Sequence, residues 1–393
     1  MLKAVKSIKQ KISYNQDLES MMETFRNMTN HCIRIGIKNN CSTLKRLSML
    51  SYHELDYNIL SSYKLNAISQ ACGVLSKYRK EIKKNPDAKI PYISRPFIVN
   101  CYGFKINGSL ISIPFKPHNP INILLNNHTQ DILSDPALKV CSFTITAFNI
   151  SICISKDIEQ MKCTKIVGID RNLRNVTVGN NELVTVYKTN KLLSIKQNTI
   201  HARAGFKRND NRLKQKFWQE KNQRLQNRTK QFIHKISKQI VSNAVETKSM
   251  IAFEDLKGIR KLYRKGNGQG NKFRKKLNGW QFYELQRQVE YKALWSGIPV
   301  VFVDPKRTSK LCPICGERIQ EDTGRKLLCI NCGKSMDRDV IASMNIAHKA
   351  WSRFNHARVD TVEAKCSAFE EPMTESYNNV VIRIVDVSKS GSR

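Results

Sequence analysis

The chain lacks any apolar run near the ~20 residues that a membrane-spanning helix needs. Its first residues, Met1 to Lys11, alternate apolar and basic side chains like a strand and do not follow a signal-peptide pattern. A secreted disulfide framework is also missing. Of twelve cysteines, eight are scattered singly and only four fall into close pairs, a usage that suits the reducing cytoplasm. Acids are scarce as well: 32 Asp plus Glu face 67 Lys plus Arg, a formal charge of +35. Self-repulsion of that size destabilises a compact state, so the protein wants a polyanion, and a spread of basic residues along the chain favours long phosphate tracks. Nucleic acid is the expected partner, and a membrane is not.

The 393 residues exceed one ordinary core, because domains usually hold ~100 to 200 residues. Residues 1–15 read as a first strand. From 16 to 85 the pattern is helical, with Leu18, Met21, Met22 and Phe25 at three- and four-residue steps. Between 86 and 163 the period changes to two. Asn107-Gly108 separates alternating runs, a hairpin signal, and Val140 to Ile154 alternates again with Phe143, Ile145 and Ala147 on one face. The first strand is expected to join this β-rich unit, with the helices inserted between.

A third unit starts at 164, where Lys165 to Asp170 reads as a buried strand ending on a carboxylate. Strands are expected around Val176 to Val178 and Leu183 to Tyr187. Arg203 to Lys238 then carries twelve basic residues against Asp210 and Glu220. Phe232, Ile236 and Ile240 recur every four residues beneath that charge, so the pattern predicts a long helix with one buried stripe and one basic face. Such a face is often merely solvated; the summed charge makes phosphate contact the better reading here. The strand Ser249 to Phe253 ends at Glu254. Gly258 to Trp280, with five glycines, eight basic residues and no acid, reads as a loop and a lid. Expected nucleic-acid contacts are Arg203, Lys207, Arg208, Arg212, Lys214, Arg224 and Arg228, and in the lid Arg260, Lys261, Arg264, Lys265, Lys272 and Arg274. A helix from Gln281 to Trp295 and a strand from Ile298 to Val303 follow.

Cys312-Pro-Ile-Cys315, thirteen residues, then Cys329-Ile-Asn-Cys332 is the sharpest motif. Two such knuckles bring four thiolates around one tetrahedral ion with Zn–S near ~2.3 Å, and Gly316 and Gly333 supply the turns. Four cysteines leave no open coordination position, so this zinc is structural. Asp170, Glu254 and Asp339 each stand at the edge of a predicted buried element. One acid after a strand is usually a cap or loop residue. In so basic a chain, a carboxylate cluster is the natural place for hard Mg²⁺ or Mn²⁺ ions, which can activate water and stabilise the leaving oxygen of a phosphodiester.

Val167-Gly168-Ile169-Asp170 through Asn175 resembles the first motif of a RuvC-type nuclease domain, Ile251-Ala-Phe-Glu254-Asp-Leu256 the second, and Asp337-Arg-Asp339 through Asn345 the third. Glu290 to Ala293 and Asp304 to Cys312 are similar to the stretch before the zinc ribbon of TnpB proteins. These are encoded by insertion sequences, long described as transposases, and related to type V CRISPR nucleases. The resemblance picks Asp339 over Asp337, which spacing alone does not. Ile341, Ala342 and Ser343 stand where the family commonly has an Asn and an Ala pair. Relatives without the acids bind DNA uncut, whereas this sequence retains all three.

The resemblance implies an α/β, RNase H-like (RuvC) nuclease domain with an inserted zinc ribbon, behind an N-terminal oligonucleotide-binding-like β-barrel with a helical insertion. Its parts are 1–15 and 86–163 for the barrel, 16–85 for the helical lobe, 164–307 and 336–356 for the nuclease, 308–335 for the ribbon and 357–393 for a loosely ordered tail. It further implies a cytoplasmic, prokaryotic, nucleoid-associated enzyme, monomeric on a structured guide RNA from the element's end. That RNA pairs with the target while the protein reads a short adjacent duplex motif. Asp170 would bridge two catalytic ions, with Glu254 and Asp339 holding one each. The alternatives are a transposase-type strand transferase and a guided DNA-binding repressor.

Overall fold

The computed structural model describes residues 2–116, 119–207, 209–264, 266, 268, 270–278, 280–359 and 380–387. The chain divides into two units, Lys3–Asp157 and Ile158–Arg393, with Met1–Leu2 counted in the second. The division falls a few residues ahead of the expected boundary at 163/164.

In the first unit, β1 (Leu2–Lys11) is followed by helices α1 (Gln16–Lys38), α2 (Leu44–Ser51) and α3 (Ser61–Ile82). Asn15 caps α1 by accepting from the Leu18 N–H at 2.9 Å, with Asp17 and Glu19 in the first turn, where acids favour a helix start. Leu18, Met21, Met22, Phe25 and Met28 form its buried stripe. Strands β2 (Ile98–Asn100), β3 (Lys105–Asn107), β4 (Leu110–Lys116) and β5 (Asn119–Leu124), helix α4 (Asn127–Leu133), and strands β6 (Lys139–Thr146) and β7 (Asn149–Ile158) complete the unit. They make two sheets, β1-β7-β6-β2 and β3-β4-β5, so β1 sits beside β7 although the helices lie between them in the chain. The β3–β4 hairpin pairs Asn107 with Leu110, which leaves Gly108-Ser109 as its two-residue loop. Gly108 has φ 55, the left-handed first position of a type II′ turn. Val140 to Ile154, expected as one alternating stretch, is a hairpin of β6 and β7 with Ala147 in the turn; alternation continues across a two-residue turn and hides it.

The second unit opens with β8 (Lys165–Arg171), β9 (Asn175–Gly179) and β10 (Leu183–Lys188), then helices α5 (Asn190–Ala204) and α6 (Asn211–Glu246), and β11 (Ser249–Glu254). Helix α5 had no strong apolar stripe to announce it. The region 258–280, expected as a loop, contains a 3₁₀-helix (Ile259–Tyr263) and α7 (Asn271–Asn278). Its glycines and charges masked short helices that carry no long apolar face. Helix α8 (Phe282–Trp295), β12 (Val300–Val303), the ribbon strands β13 (Gln320–Glu321), β14 (Lys326–Leu328) and β15 (Ser335–Asp337), helix α9 (Arg338–Val359) and β16 (Val381–Val385) follow.

The main sheet has the order β12-β11-β8-β9-β10-β16. Strand β11 lies parallel to both β8 and β12, and β9 runs antiparallel to its neighbours. Within the tail expected to be loosely ordered, the short apolar run that begins at Val380 forms β16, which pairs in parallel with β10, Val381 beside Leu183 through Val385 beside Tyr187; 360–379 and 388–393 of that tail lie outside the described residues. Period-two alternation divides the residues between the faces. Ile169, Ile251 and Phe253 pack against Ile233, Ile236, Leu285 and Val289 of α6 and α8. Ile166, Met250 and Ala252 pack against Ile346, Ala347 and Ala350 of α9. Burying Ile251 and Phe253 completely contributes roughly 1.5 to 3 kcal/mol each. No described helix is long and apolar enough to cross a membrane.

Candidate active site and metal centre

Asp170 and Glu254 close two adjacent parallel strands. The register pairs Phe253 with Ile169, so the two acids stand next to each other one step beyond. Both belong to the face covered by α9, since Gly168 and Ala252 lie two residues earlier. Gly168 brings that helix close: a Cβ there would stand 2.0 Å from the Ser343 carbonyl oxygen and 2.7 Å from the Ala347 nitrogen. The backbone of α9 therefore rests directly on β8, and its first turn delivers Asp339 to the strand ends. Open α/β sheets commonly bind ligands at the carboxyl ends of their strands.

Glu254 and Asp339, the latter 169 positions away in sequence (339 minus 170), both reach Asp170 with their charge. Asp170 is 8 % exposed and is pushed up to about 7, first by burial, then by the charges of Glu254 and Asp339. Burial raises Glu254 as well. Each acid is oriented by a neutral neighbour. Asn172 Nδ2 donates to Asp170 Oδ2 at 2.6 Å, Thr308 Oγ1 to Glu254 Oε1 at 2.6 Å, and Asn175 Nδ2 to Asp339 Oδ2 at 2.7 Å. Arg325, from the ribbon, also donates to Asp339 Oδ2. Thr308 sits in a loop where Arg307 holds φ 65, a strained value for a side-chain-bearing residue. Asn345 ties that loop to α9 by donating to the carbonyls of Thr308 and Leu311, both at 2.8 Å. Ile341 is fully buried, so the position where the family commonly carries Asn serves the core.

Behind the acids, on the opposite face of the sheet, Arg171 is 3 % exposed. It donates to the Glu254 carbonyl oxygen at 2.6 Å and to Gln286 Oε1 at 2.7 Å, with its guanidinium 4.9 Å from the Phe253 ring centre. Burial lowers it to about 10, so it remains a cation at neutral pH. It locks β8 to the end of β11 and to α8. Sequence reasoning missed Arg171, Arg325, Asn172, Asn175 and Thr308. A charged residue directly after a buried strand acid was the available signal for the first; the others depend on register and loop path.

The ribbon brings Cys312, Cys315, Cys329 and Cys332 together, with all four sulfurs within 4.8 Å of one another. Cys312 Sγ lies 3.6 Å from Cys332 Sγ, and Cys315 Sγ lies 3.4 Å from Cys329 Sγ. Four thiolates around a tetrahedral ion at ~2.3 Å would stand just under ~4 Å apart, so the donor set fits one zinc. The knuckles match each other: the Gly316 N–H donates to Cys312 O at 3.0 Å and the Gly333 N–H to Cys329 O at 2.8 Å, with φ 77 and 66 at the glycines. The Glu317 N–H holds the Cys315 thiol down to about 7.

Among the described residues only the four cysteines already lie close enough together to share one ion, but the donor chemistry of the carboxylates suits hard cations. The cluster offers oxygen donors only, and the repulsion within it is relieved by positive charge. Of the expected nucleic-acid contacts, Arg224 and Arg228 are exposed on α6, and Lys207, Arg260, Lys261 and Arg264 are exposed in the linking segments. Lys214 and Arg274 are half-buried. Arg208 and Lys265, and the side chains of Arg203, Arg212 and Lys272, lie outside the described residues.

Residues 282–346 match the family model of the Cas12f1-like TNB domain. The chain is 33 % identical over 266 residues to the TnpB-like protein MJ0751 of Methanocaldococcus jannaschii, covering 63 % of this chain and 93 % of that protein. It is 35 % identical over 120 residues to the CRISPR-associated endodeoxyribonuclease Cas12f1 of Sulfoacidibacillus thermotolerans, spanning only 25 % of that relative. In three dimensions it is similar to Cas12f1 as solved in a complex with sgRNA and target DNA, with TM-score 0.54 and 16 % identity over 84 % of this chain and 81 % of that one. That likeness shows an α/β fold of the same kind. With nearly the full length of a TnpB-like relative matched at this identity, the chain belongs to the TnpB-like family.

Proposed function

We propose that this protein is an RNA-guided, metal-dependent DNA endonuclease associated with an insertion sequence, with Asp170, Glu254 and Asp339 as its catalytic acids. The observation that carries the reading is their convergence: acids from β8, β11 and α9 come near enough for Glu254 and Asp339 to add to the burial that pushes Asp170 up to about 7, in a chain of charge +35. A structural reason for assembling such repulsion is weak, whereas a divalent-cation site requires it. Mg²⁺ or Mn²⁺ bound there would activate a water and stabilise the leaving oxygen of a phosphodiester.

The chain's own groups hold that site in shape. Asn172 and Thr308 fix which carboxylate oxygens remain free on Asp170 and Glu254, and Arg171 anchors the Glu254 backbone from behind. Arg325 neutralises Asp339 and, by its exposure, lies within the reach of an incoming phosphate. The ribbon takes one zinc that maintains its two knuckles. Lys207, Lys214, Arg224 and Arg228, with Arg260, Lys261, Arg264 and Arg274, contact phosphates of the guide duplex or the displaced strand. The strands of the N-terminal unit form the oligonucleotide-binding-like barrel, its helices α1 to α3 the recognition lobe, and the short helices of 258–280 the lid. Such an enzyme works on the DNA of a prokaryotic cytoplasm.

The test is to purify the full chain with its flanking genomic RNA, sequence the RNA retained, and incubate the complex in Mg²⁺ with plasmids that match or mismatch it. Breaks confined to the matching plasmid are expected. A defined RNA with binding but no breaks points to a guided repressor, joined products to a strand transferase, and no defined RNA removes the guided reading altogether.

A further inference from the structure

The acid cluster has a neutral side formed by β9. In the β8–β9 pair, Thr177 stands directly opposite Asp170. Opposed residues of an antiparallel pair share a face, as do residues two apart on one strand. Thr177 and Asn175 therefore face the same side as Asp170, the side that α9 covers. The Asn175 bond to Asp339 agrees with that placement.

That bond also fixes which way the Asn175 amide points. Nδ2 is the donor to Asp339 Oδ2, which leaves Oδ1 as the amide's remaining group. Asn175 Oδ1 is buried without a hydrogen-bond partner among the described residues, and the same holds for Thr177 Oγ1, on a residue 0 % exposed. Buried oxygens are rarely left unpaired in folded proteins, because each costs the desolvation of a polar group. Of the six such side-chain oxygens among the described residues, only these two share one strand, and they lie in the row of a buried carboxylate. A threonine hydroxyl could be replaced there by a valine methyl of the same shape at no polar cost.

We propose that Asn175 and Thr177 belong to the cation site, their free oxygens taking water from the shell of a hard divalent cation held by the three acids. The proposal rests on the acid-site reading and extends it from three residues to five. Hard cations of this kind keep several waters and accept neutral oxygens beside carboxylates. Asn175 has two tasks: its Nδ2 positions Asp339, and its Oδ1 meets the hydrated ion. Thr177 Oγ1 both accepts from and donates to such water. Neutral oxygens orient the shell without adding to the repulsion that already burdens Asp170.

Binding of Mn²⁺ alone to the full-length, zinc-loaded chain, read from the loss of the free-ion paramagnetic resonance signal, tests this without any cleavage. Asn175→Ala and the isosteric Thr177→Val should each weaken Mn²⁺ binding roughly tenfold or more, the usual scale for supporting residues of a metal site. Asn175→Asp loses the amide donor to Asp339 but keeps an oxygen toward the ion, so it should bind Mn²⁺ at least as well as the wild type. If Asn175 is only a strut for Asp339, Asn175→Asp will bind as poorly as Asn175→Ala, and that result overturns the assignment of its oxygen. Wild-type affinity in Thr177→Val overturns the assignment of the threonine, and this variant decides even where Asn175→Ala fails to fold. Asp170→Ala is the control for the underlying reading. If it binds Mn²⁺ like the wild type, the acid site itself is misassigned and the extension falls with it.

Discussion

The ribbon and the acid site gather charged or ionisable ligands in opposite ways. In the ribbon, four sulfurs meet through two knuckles of four residues each, closed by Gly316 and Gly333, and the stretch from Cys312 to Gly333 holds both. The acid site takes one carboxylate each from β8, β11 and α9, and nothing local holds them together. Its geometry is imposed by the contact of α9 on Gly168, by Arg171 behind the sheet and by Asn345 tying the Thr308 loop to α9. The ribbon would be stabilised by a zinc ion among its sulfurs, and the acid cluster is tolerated by its frame.

The comparison breaks first at the ribbon. Cys312→Ser with Cys329→Ser should remove one equivalent of zinc by elemental analysis and unfold the ribbon, since a structural zinc site draws its folding free energy from the metal. Full zinc retention would contradict the local account of the site. Gly168→Ala should come next. The added carbon meets backbone atoms of α9, which cannot rotate away, so the helix must shift at a cost of about 3 kcal/mol or more. A displacement of Asp339 by even ~1 Å should lower cleavage on the order of 100-fold. Unchanged melting and cleavage would show that α9 does not set the site.

Asp170→Asn sharpens the contrast from the other side, because it should abolish cutting while stabilising the metal-free fold. The Asp170 carboxyl titrates near 7 when folded against 3.8 ordinarily. The metal-free wild type therefore loses stability as pH rises from about 4 through about 7, and the deficit persists above that range. With zinc kept in the ribbon and no Mg²⁺ or Mn²⁺ added, the variant should melt higher than the wild type at pH 8, by an amount worth a few kcal/mol, and the gap should shrink toward pH 5. An equal gap at both pH values would mean the repulsion is absent. The smallest effect is expected from Arg224→Ala with Arg228→Ala: weaker nucleic-acid binding with the salt slope reduced by about 2, and no change in melting.

How far the sequence was legible follows the same division. Local chemistry was readable: the cysteine spacing, the buried stripe of Phe232, Ile236 and Ile240, and the strands that end at Asp170 and Glu254 all lie where their periodicity put them. Features that depend on register were not. Whether Asn175 and Thr177 face Asp170 is decided by how β9 pairs with β8, and that Arg325 reaches Asp339 is decided by the ribbon's path. Helix α5 lacks an apolar period of its own and packs on α6, while the helices of 258–280 and strand β16 are too short for their pattern to stand out. The break between β6 and β7 was invisible because the same alternation runs through both.

The most direct test of the central claim places Asp170→Ala, Glu254→Ala and Asp339→Ala beside the wild type, each loaded with the guide RNA, and measures DNA binding and plasmid cleavage in Mg²⁺ together. The account predicts that all three variants bind the matching DNA and none cuts it, since phosphate contacts lie elsewhere on the chain. A variant that cuts at the wild-type rate would show that the three acids are not the catalytic site.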